Sequence, residues 1–600
     1  MDLRFRDAEP TEAERAAVDA LLGPPTSAWD GGGRDALRFA AGGHEARERR
    51  DLLLPALHAI NDRIGWISEG ALGYVCRRLT VAPAEAYGVA TFYAMFSMTA
   101  RPERIVHVCT DLACQAAGAE DLCRSLAGSG APWHPSPCLG LCERAPAALA
   151  IEAGDPPRTA ALGPATAETV TGAAPAPDEP PAEAAVPQAG DDGLVLLRRI
   201  GVTDPASLDS YRANGGYQAL RRAVALGPAG VIREITDSGL VGRGGAAFPT
   251  GRKWQATAQQ PDHPHYLVCN ADESEPGTFK DRVLMEGDPY ALIEAMTIAG
   301  YATGCSRGYV YLRGEYPRSL HRLEHAIARA RERGLLGDDI LGQGIAFDIE
   351  VRRGAGAYIC GEETAIFNSI EGYRGEPRSK PPFPVEKGLF GKPTVVNNVE
   401  TLVNVLPILL NGAQAYAGTG TENSTGTKLF CLSGTVRRPG IYELPFGATL
   451  RELLTLAGGV PEGRTLRAVL LGGAAGSFVG PEELDVPLTF EGTRAAGATL
   501  GSGVILALDD SVDIGGILLR IAAFFRDESC GQCVPCRVGT VRQEEALRRL
   551  TQGADGADVA LLREVGQAMR DASICGLGQT AWNAVESAID RLGVFTGEGA

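Results

Sequence analysis

Three closely spaced cysteines near the C-terminus are the residues best suited to chemistry in this sequence. Cys530, Cys533 and Cys536 follow one another at two-residue gaps in ESCGQCVPCRVGT. Two consecutive C-x2-C steps place three sulfurs around a tight turn, which fits three corners of a [4Fe–4S] cube. A cube needs a fourth thiolate, and Cys575 is the only cysteine further downstream. Zinc stays open as the alternative, because C-x2-C is also a zinc spacing.

A second cysteine set lies in the first quarter of the chain. Cys109 and Cys114 are spaced C-x4-C, and Cys138 and Cys142 are spaced C-x3-C. Zinc sites usually show tighter pairs, whereas wider and unequal gaps suit a [2Fe–2S] cluster, in which each iron takes two thiolates. We therefore favour a [2Fe–2S] cluster over zinc at this set.

Two glycine-rich stretches and one acidic turn indicate a nucleotide or flavin site. The stretch SGLVGRGGAAFPTGRKW (238–254) combines glycines with Arg243 and Lys253, so backbone N–H groups and cations could cradle a phosphate. The stretch GAGAYICGEET (354–364) follows a predicted strand. A lone glycine loop is more often only a turn. In the acidic turn 270–282, four polar residues could instead satisfy a polar ring or a ribityl chain: Asn270, Asp272, Glu273 and Ser274.

The periodicity of the chain predicts a multidomain α/β protein that positions these residues. An Ala/Pro-rich tract with few core-forming residues separates the two cysteine-bearing halves, and we expect it to be a tether. The predicted units are an N-terminal extension (1–40), a helical lead-in with a small α/β domain (41–152), the linker (153–193), a nucleotide-binding α/β domain (194–426), a β-rich α+β domain (427–511) and a helical domain (512–600).

Composition excludes several classes of function. The chain has 600 residues and a formal net charge of −17, which argues against a nucleic-acid binder because such proteins need a basic face. Its N-terminus lacks the apolar stretch of a signal peptide, and its most apolar later run contains Asp513 and Arg520. We expect a cytoplasmic protein whose cysteines stay reduced.

The three constellations together predict electron transfer. A flavin accepts a hydride as two electrons and can release them singly, while an iron–sulfur cluster carries one electron at a time. A chain that holds both would convert between the two modes.

The same residues carry a resemblance that spans nearly the whole chain. SGLVGRGGAAFPTGRKW, NADESEPGTFKDR, GAGAYICGEETAIFNSIEGYRGEPRSKPPFP, TVVNNVET and ESCGQCVPCRVGT resemble the NADH-binding flavoprotein (51 kDa-type) subunit of respiratory complex I and its relatives. Residues 40–150, with CTDLAC and CLGLCERAPA, resemble the thioredoxin-like (24 kDa-type) [2Fe–2S] partner subunit. The chain therefore looks like a fusion of the two subunits.

The resemblance implies a thioredoxin-like [2Fe–2S] domain, an FMN- and NAD(H)-binding α/β domain, a ubiquitin-like β-grasp domain and a helical bundle. It also implies four ligands for the [4Fe–4S] cluster, namely Cys530, Cys533, Cys536 and Cys575. The residues that would line FMN are Gly242, Arg243, Gly244, Lys253, Asn270, Asp272, Glu273, Ser274, Tyr358, Gly361, Glu362, Glu363, Asn397, Asn398 and Thr401. The nicotinamide nucleotide would contact Phe248, Glu275, Glu363, Lys380 and Phe383.

Lys253, Glu362 and Glu363 are the predicted catalytic residues. Hydride would pass directly from nicotinamide to flavin, so these side chains would position the rings and set the electrostatics rather than act as bases. Two positions depart from the family pattern. Ala247 replaces a usual glycine, and Arg252 stands where an apolar residue is common. The loop is therefore expected to be stiffer and more basic, with no ligand lost.

The partner of such a chain is less tightly specified by the sequence. The ending SICGLGQTAWNAV resembles the diaphorase subunits of soluble NAD-dependent formate dehydrogenases and NAD-reducing hydrogenases. Because all four N-terminal cluster cysteines are present, we favour the β subunit of a molybdenum- or tungsten-dependent formate dehydrogenase, with the pterin on a large partner chain. The alternatives are a hydrogenase diaphorase, a fused complex I subunit and, from another class, a zinc-stabilised non-catalytic scaffold.

Overall fold

The computed structural model describes residues 8–24, 49–553 and 557–595. Most of the predicted N-terminal extension (1–40) lies outside these ranges. Its described part contains helix α1 (Glu12–Leu22), which Thr11 and Glu14 cap reciprocally. Helix α1 packs on the helical lead-in, with Val18 and Leu22 buried in the shared core.

The helices and strands follow one another along the chain with short connections. The remaining α-helices are α2 (Leu53–Ile64), α3 (Glu69–Leu79), α4 (Pro83–Ala90), α5 (Leu112–Ala116), α6 (Ala119–Leu126), α7 (Ala167–Thr171), α8 (Leu208–Ala213), α9 (Gln218–Asp237), α10 (Thr250–Ala258), α11 (Lys280–Gly287), α12 (Pro289–Thr303), α13 (Pro317–Glu332), α14 (Glu363–Ile370), α15 (Pro384–Lys387), α16 (Val399–Val403), α17 (Val405–Asn411), α18 (Ala413–Ala417), α19 (Leu450–Leu456), α20 (Phe490–Ala495), α21 (Ile514–Glu528), α22 (Val534–Thr551), α23 (Ala557–Ala572), α24 (Gly576–Thr580) and α25 (Asn583–Leu592). The strands are β1 (Arg104–Cys109), β2 (Trp133–Ser136), β3 (Ala148–Glu152), β4 (Arg158–Leu162), β5 (His265–Ala271), β6 (Cys305–Leu312), β7 (Gly337–Ile340), β8 (Ile345–Arg353), β9 (Thr394–Asn398), β10 (Thr427–Gly434), β11 (Gly440–Pro445), β12 (Leu466–Leu471), β13 (Ser477–Val479) and β14 (Val504–Asp509).

The first sheet carries the N-terminal cysteine set. It has four strands in the order β2-β1-β3-β4. Strand β1 pairs in parallel with β2 and antiparallel with β3, and Cys109 ends β1. Helices α5 and α6 follow β1 directly, so the first two cysteines sit on the strand end and the helix beyond it. This mixed sheet with helices is the fold expected for the thioredoxin-like unit.

The predicted tether is more ordered than its composition suggested. Strand β4, inside the range 153–193, pairs antiparallel with β3 and closes one edge of the first sheet. Further along, the backbone N–H of Glu443 donates to the Gln188 side chain at 2.8 Å. The prediction of a simple tether from residue 153 was therefore wrong for this strand. An edge strand of small residues can pair through its backbone alone, and composition does not reveal that.

The second sheet is mainly parallel and forms the centre of the molecule. Its order is β7-β8-β6-β5-β9, with parallel pairs throughout except the antiparallel edge strand β7. Helix α12 is almost wholly buried against this sheet. Parallel strands of this kind present their carboxyl ends at one edge, where ligands bind in open α/β sheets. Strands β5 and β9 are neighbours, so Asn270 lies opposite Asn398 at that edge.

The third sheet and the last helices complete the molecule. The sheet has the order β11-β10-β14-β12-β13 and mixes parallel and antiparallel pairs around helix α19, as expected for a β-grasp unit. Helices α21 to α25 pack as a bundle around Trp582. A Cβ atom added at Gly566 would lie 2.3 Å from Trp582 Cγ, so only glycine lets the two helices approach. Within the described residues, no helix is both long enough and apolar enough to cross a membrane.

Candidate active site and cluster sites

Two adjoining cavities open at the carboxyl edge of the central sheet. The larger has a volume of about 710 Å3 and the smaller about 430 Å3. They share a common wall of six residues, namely Gly244, Ala246, Asn270, Gly361, Glu362 and Asn398. The larger cavity extends toward Phe248 and Phe383, and the smaller one extends toward helix α24 of the C-terminal bundle. The pair therefore forms one continuous compartment between the central sheet, the β-grasp unit and the bundle.

The structure brings nearly all predicted flavin and nucleotide residues into this compartment. The larger cavity is lined by Gly242, Gly244, Phe248, Lys253, Asn270, Gly361, Glu362, Glu363, Lys380, Phe383, Asn397, Asn398 and Thr401. The smaller cavity adds Asp272, Glu273, Ser274, Glu275 and Tyr358. The roles of these residues toward a ligand remain predictions. The smaller cavity also has walls that the motifs did not reveal, including Ser502 from the β-grasp unit and Asn583 from the bundle.

Arg243 is the exception among the predicted flavin residues. Its backbone N–H donates to Thr401 Oγ1 at 2.8 Å, but its side chain lines neither cavity. The guanidinium is fully buried, donates to Tyr416 and the carbonyl of Thr425, and lies over the ring of Phe446. Arg243 therefore fixes the glycine loop from behind, and a phosphate would not meet its charge directly.

The glycines make a floor on which an occupant would meet backbone. A Cβ atom at Gly244 would approach Asn398 Cβ to 3.2 Å, and one at Gly361 would approach Asp272 Oδ2 to 3.3 Å. The loop turns sharply between Gly242 and Phe248, which are joined by a backbone hydrogen bond of 2.9 Å. Ala247 has a φ of 52°, in the left-handed region that glycine adopts without strain. This explains why glycine suits the position, and Ala247 makes the loop stiffer.

Asparagine side chains at the strand ends shape the compartment. Asn270 donates to the carbonyl of Gly361 at 2.8 Å, which ties strand β5 to the second glycine stretch. Asn398 donates to Asp281 at 2.6 Å, and Asn397 accepts from Trp254 at 2.9 Å. These bonds hold the loops at a fixed distance, so the compartment is preformed rather than assembled by a ligand.

Two lysines and two glutamates form the charged side of the larger cavity. Lys380 donates to Glu362 at 2.9 Å and to Glu363 at 2.7 Å, and Lys253 lies 3.7 Å from Glu363. Burial lowers the pKa of Lys253, and Glu363 opposes this effect. Burial alone would raise the pKa of Glu363, but Lys253 and Lys380 outweigh it and the pKa falls. The predicted catalytic residues thus form one network that keeps Glu363 ionised.

Two exposed aromatic rings flank the mouth of the larger cavity. Phe248 is 49% exposed and Phe383 is 53% exposed, although most phenylalanines of the chain are buried. The Lys253 ammonium lies 5.8 Å from the centroid of the Phe248 ring. Exposed rings beside a polar cavity suit stacking with a planar ligand such as an adenine ring.

Buried acids line the smaller cavity. Burial raises the pKa of Asp272 to about 7, that of Glu275 to about 7 and that of Glu273 to about 8. Glu273 is held by the backbone N–H groups of Asp281 and Arg282 at 2.8 Å each. Asp272 Oδ2 is buried and has no hydrogen-bond partner among the described residues. A buried acceptor without a partner is costly, so the cavity fits a polar occupant that donates to it.

Tyr358 connects this compartment to the second cysteine set. Its hydroxyl donates to Glu275, its backbone N–H donates to Glu528 at 2.8 Å, and its ring packs on Phe524 at 5.0 Å between centroids. Glu528 ends helix α21, two residues before Cys530. The candidate flavin site and the candidate cubane site are therefore joined through one side chain.

The structure brings together the four N-terminal cysteines. The Cys138 and Cys142 sulfurs lie 3.4 Å apart, and Gly140, between them, has a φ of 65°. Contacts with the Cys114 and Cys138 thiols, together with burial, raise the pKa of Cys109. Contacts with Cys109 and Cys142 lower the pKa of Cys138, so Cys138 is the first thiol of the set to ionise. Four buried thiols in mutual contact fit the ligand set of a [2Fe–2S] cluster.

The C-terminal cysteines meet where two helices begin. Cys533 caps α22, Cys536 lies in its first turn, and Cys575 caps α24. The positive ends of helix dipoles favour thiolates. A Cβ atom at Gly578 would lie 2.9 Å from Cys536 Cβ, so α24 packs directly against the cysteine turn. Burial raises the pKa of Cys536 and that of Cys575 to about 11. Iron must therefore displace protons from these thiols when it binds.

The structure gives no support of its own to zinc. Across residues 8–24, 49–553 and 557–595, no group of three or more histidine, cysteine, aspartate or glutamate side chains is arranged around one ion position. The donor chemistry is four thiols in each set, which suits both zinc and clusters. The choice between them comes from the comparisons with known proteins.

Four family models match consecutive parts of the chain. Residues 41–154 match the thioredoxin-like [2Fe-2S] ferredoxin, and residues 235–407 match the Nuo51 FMN-binding domain. Residues 429–476 match the SLBB domain, and residues 516–593 match the NADH-ubiquinone oxidoreductase-F iron-sulfur binding region. Both cysteine sets and all the predicted flavin residues lie within the matched ranges. The prediction of FMN, [2Fe–2S] and [4Fe–4S] cofactors together with NAD(H) is confirmed.

Curated relatives decide the family. The second NADH-quinone oxidoreductase F chain of Rhizobium meliloti is 46% identical over 401 residues, which is 66% of this chain and 95% of that protein. The chain belongs to the family of NADH-quinone oxidoreductase F chains. Another relative is the NADP-reducing hydrogenase subunit HndC of Solidesulfovibrio fructosivorans, which is 45% identical over 400 residues, 66% of this chain and 81% of that protein.

A solved structure extends the similarity beyond the part shared with these relatives. A chain in the crystal structure of an air-oxidized NAD+-reducing [NiFe]-hydrogenase superimposes with a TM-score of 0.76 and 34% identity. The match covers 92% of this chain and 94% of that chain. The predicted fold, with its thioredoxin-like, FMN-binding and helical cluster units, is therefore confirmed. The chain is an NAD-dependent oxidoreductase module of this family.

Proposed function

We propose that the chain is a diaphorase subunit that moves electrons between NAD(H), FMN and two iron–sulfur clusters. The observation that supports this proposal best is the continuous compartment at the carboxyl edge of the central sheet. It touches both the charged, aromatic mouth and, through Tyr358, the turn that leads to Cys530. A ligand in this compartment would lie between a nucleotide entrance and a cluster.

FMN, when bound, accepts a hydride as two electrons and passes the electrons on one at a time. The residues of the chain supply position rather than acid–base chemistry. The glycine floor exposes backbone N–H groups, and Asn270 and Asn398 fix its spacing. Lys253 places a cation in the wall of the same cavity, where its ammonium donates to the carbonyl of Val396 at 3.0 Å.

The mouth of the larger cavity suits a nicotinamide dinucleotide. Phe248 and Phe383 offer exposed faces for the adenine, and the charge pair of Lys380 with Glu363 lines the same cavity as the glycine floor. The carboxylate can accept hydrogen bonds from ribose hydroxyls while the lysine faces a phosphate. Binding at this place would bring the nicotinamide to the flavin and keep water out of the contact.

The compartment makes a direct test possible. The purified chain should be yellow-brown, contain FMN, and reduce ferricyanide with NADH. Replacing Gly361 with valine should reduce bound FMN, because a side chain there points at Asp272 across the floor. Gly334→Val, in an exposed turn with no atom near its Cβ position, is the control and should keep FMN. A protein without flavin, or a G361V variant with full FMN, would contradict the proposal.

Among possible assemblies, the NAD-reducing hydrogenase receives the most support. The hydrogenase chain matches 92% of this one, whereas the Rhizobium meliloti relative matches 66%. These relatives support the hydrogenase and complex I alternatives better than the formate dehydrogenase that we favoured from the sequence. We therefore propose a hydrogenase-type assembly, with a nickel-containing partner.

Co-purification from the native source distinguishes the assemblies. A nickel-containing subunit bound to the chain supports the hydrogenase assignment. A large pterin-containing subunit would restore the formate dehydrogenase interpretation, and a membrane-bound quinone-reducing complex would indicate complex I. A chain that carries stoichiometric zinc without flavin would be the non-catalytic scaffold.

A further inference from the structure

One buried arginine joins the candidate flavin site to the [2Fe–2S] loop. Arg313 follows strand β6 and is only 2% exposed. One of its terminal nitrogens donates to the carbonyl of Cys138 at 2.6 Å and to Glu315 at 2.9 Å. The other donates to the carbonyl of Glu273 at 2.9 Å. A single guanidinium thus bonds the backbone of a predicted cluster ligand and the backbone of the acidic turn in the smaller cavity.

The surroundings hold this guanidinium in place. Its plane lies over the Tyr316 ring, 4.9 Å from the ring centroid. Tyr316 also fills the space beside the cluster loop, since a Cβ atom at Gly140 would lie 2.2 Å from its hydroxyl oxygen. A second buried arginine, Arg282, donates to the carbonyl of Gly140 at 2.9 Å and to Glu143 at 2.6 Å. The loop between Cys138 and Cys142 is therefore clamped by residues of the central domain.

The charge of Arg313 acts in a weakly screened environment. A cavity of about 100 Å3 lies between the first sheet and the central domain, and Arg313, Glu315 and Cys138 line it. Arg313 Nε and Glu315 Oε2 face no hydrogen-bond partner in the part of the chain that the structure describes. The space holds a few waters at most. Charges in such surroundings interact more strongly than charges in bulk water.

We propose that Arg313 is a positioning residue that fixes the Cys138 loop against the flavin-binding turn and raises the reduction potential of the [2Fe–2S] cluster. This proposal rests on the proposed function, because it takes the four N-terminal cysteines to hold that cluster. Reduction adds one negative charge to the cluster, so a nearby cation stabilises the reduced form. Net charge and hydrogen bonds near the cluster are known determinants of cluster potential.

The ion pair predicts shifts of opposite sign from its two members. Arg313→Gln removes the cation, so the cluster potential should fall. Glu315→Gln removes the neighbouring anion, so the potential should rise. Arg313→Lys keeps the charge but cannot make all three bonds at once, so its potential should stay near that of the original protein. A residue that only supports the fold would not produce opposite shifts.

The experiment is a redox titration of the purified full chain, with the reduced cluster followed by electron paramagnetic resonance. We expect Arg313→Gln to change the one-electron equilibrium constant of the cluster at least tenfold, which corresponds to about 59 mV. Arg199→Gln is the matched control. Arg199 is also buried and ion-paired, with Asp288 at 2.7 Å, but it lies away from both cysteine sets. It should leave the potential unchanged.

Each outcome decides the proposal. An assembled cluster in Arg313→Gln with an unchanged potential, or with a shift no larger than that of Arg199→Gln, overturns it. If Arg313→Gln does not assemble a cluster, Glu315→Gln decides: a raised potential supports the proposal and an unchanged potential overturns it. Failure of the proposed function is distinguishable, since the original chain would then show no [2Fe–2S] signal at all.

Discussion

At the scale of single residues, the candidate flavin site is notable for acids that water does not reach. Asp272, Glu273 and Glu275 lie in the turn after strand β5, and burial raises the pKa of each to about 7 or 8. Near neutral pH, each therefore exchanges a proton easily. A protonated carboxyl group can donate a hydrogen bond as well as accept one.

The raised pKa of Asp272 predicts a pH dependence of stability. Between about pH 4 and pH 7 the folded protein keeps a proton on Asp272 that the unfolded chain has released, so the free energy of unfolding falls as pH rises. Asp272→Asn removes this contribution. In FMN-depleted protein, the decline of the thermal midpoint from pH 5 to pH 8 should be smaller in this variant than in the original chain. Asp338→Asn, at an exposed position, is the control, and an equal decline in all three proteins would refute the prediction.

Cys575 offers a prediction that separates cluster from flavin. Replacing it with alanine should abolish the [4Fe–4S] signal, because it is the fourth thiol at the helix ends, while the FMN compartment stays intact. Ferricyanide reduction by NADH should persist. Cys123→Ala should keep both clusters, since Cys123 belongs to neither set. A full cubane signal in Cys575→Ala would show that the fourth ligand lies elsewhere.

Residue types and spacing predicted the cysteines and the cavity walls, but not the buried ions behind them. Lys280 lies 3.0 Å from Glu400, and Lys428 of the β-grasp unit donates to the same carboxylate at 2.7 Å. Lys280 stands in a quoted motif, but nothing in the sequence indicates that it is buried. Arg313 gave no signal either, because its partners are backbone carbonyls of distant segments. Arg243 was predicted as a ligand, and its neighbours in the fold turned its side chain away.

At the scale of elements, the segment after the Ala/Pro-rich tract is anchored by one glutamate. Glu443 on strand β11 accepts hydrogen bonds from the backbone N–H groups of Val195, Leu196 and Leu197, at 2.9–3.1 Å. Gln188, within the tract, also bonds the backbone of β11. The β-grasp unit thus holds the chain where it enters the central domain, and composition alone could not predict this.

Removing the Glu443 carboxylate should destabilise this junction. Each buried N–H group left without an acceptor costs about 1–3 kcal/mol, so Glu443→Ala should lower the free energy of unfolding by about 2–4 kcal/mol after partial rearrangement. Glu443→Gln keeps one oxygen and should cost less. Urea denaturation measures the change, with the exposed Glu422→Ala as control. A loss in Glu443→Ala no greater than that in the control would refute the anchoring role.

Elements were predictable where periodicity or turn glycines marked them. The strands of the central sheet and the helices of the bundle follow their apolar patterns, and the strand β5 that precedes the acidic turn was expected. Strand β4 was missed, because a short edge strand of small residues carries no distinctive pattern. Helix α9 also bends where Gly227 takes a φ of 73° before Pro228, a feature that appears only with the fold.

At the scale of the whole molecule, one chain contains what the family models describe as separate units. The first sheet packs on the central domain through Arg282 and Arg313, and the bundle reaches the same domain through Tyr358. Both cluster sites are therefore in contact with the flavin compartment on different sides. The sequence predicted the inventory of units, whereas this arrangement depends on buried contacts between segments far apart in the chain.

Anaerobic titration of the purified chain with NADH tests the central claim most directly. Flavin absorbance and electron paramagnetic resonance would be followed together, after analysis for FMN and for about six irons per chain, the sum of one [2Fe–2S] and one [4Fe–4S] cluster. We predict that NADH bleaches the flavin and that a reduced-cluster signal appears as electrons leave it. A protein with zinc and no flavin, or one whose flavin is bleached while neither cluster is ever reduced, would contradict the account.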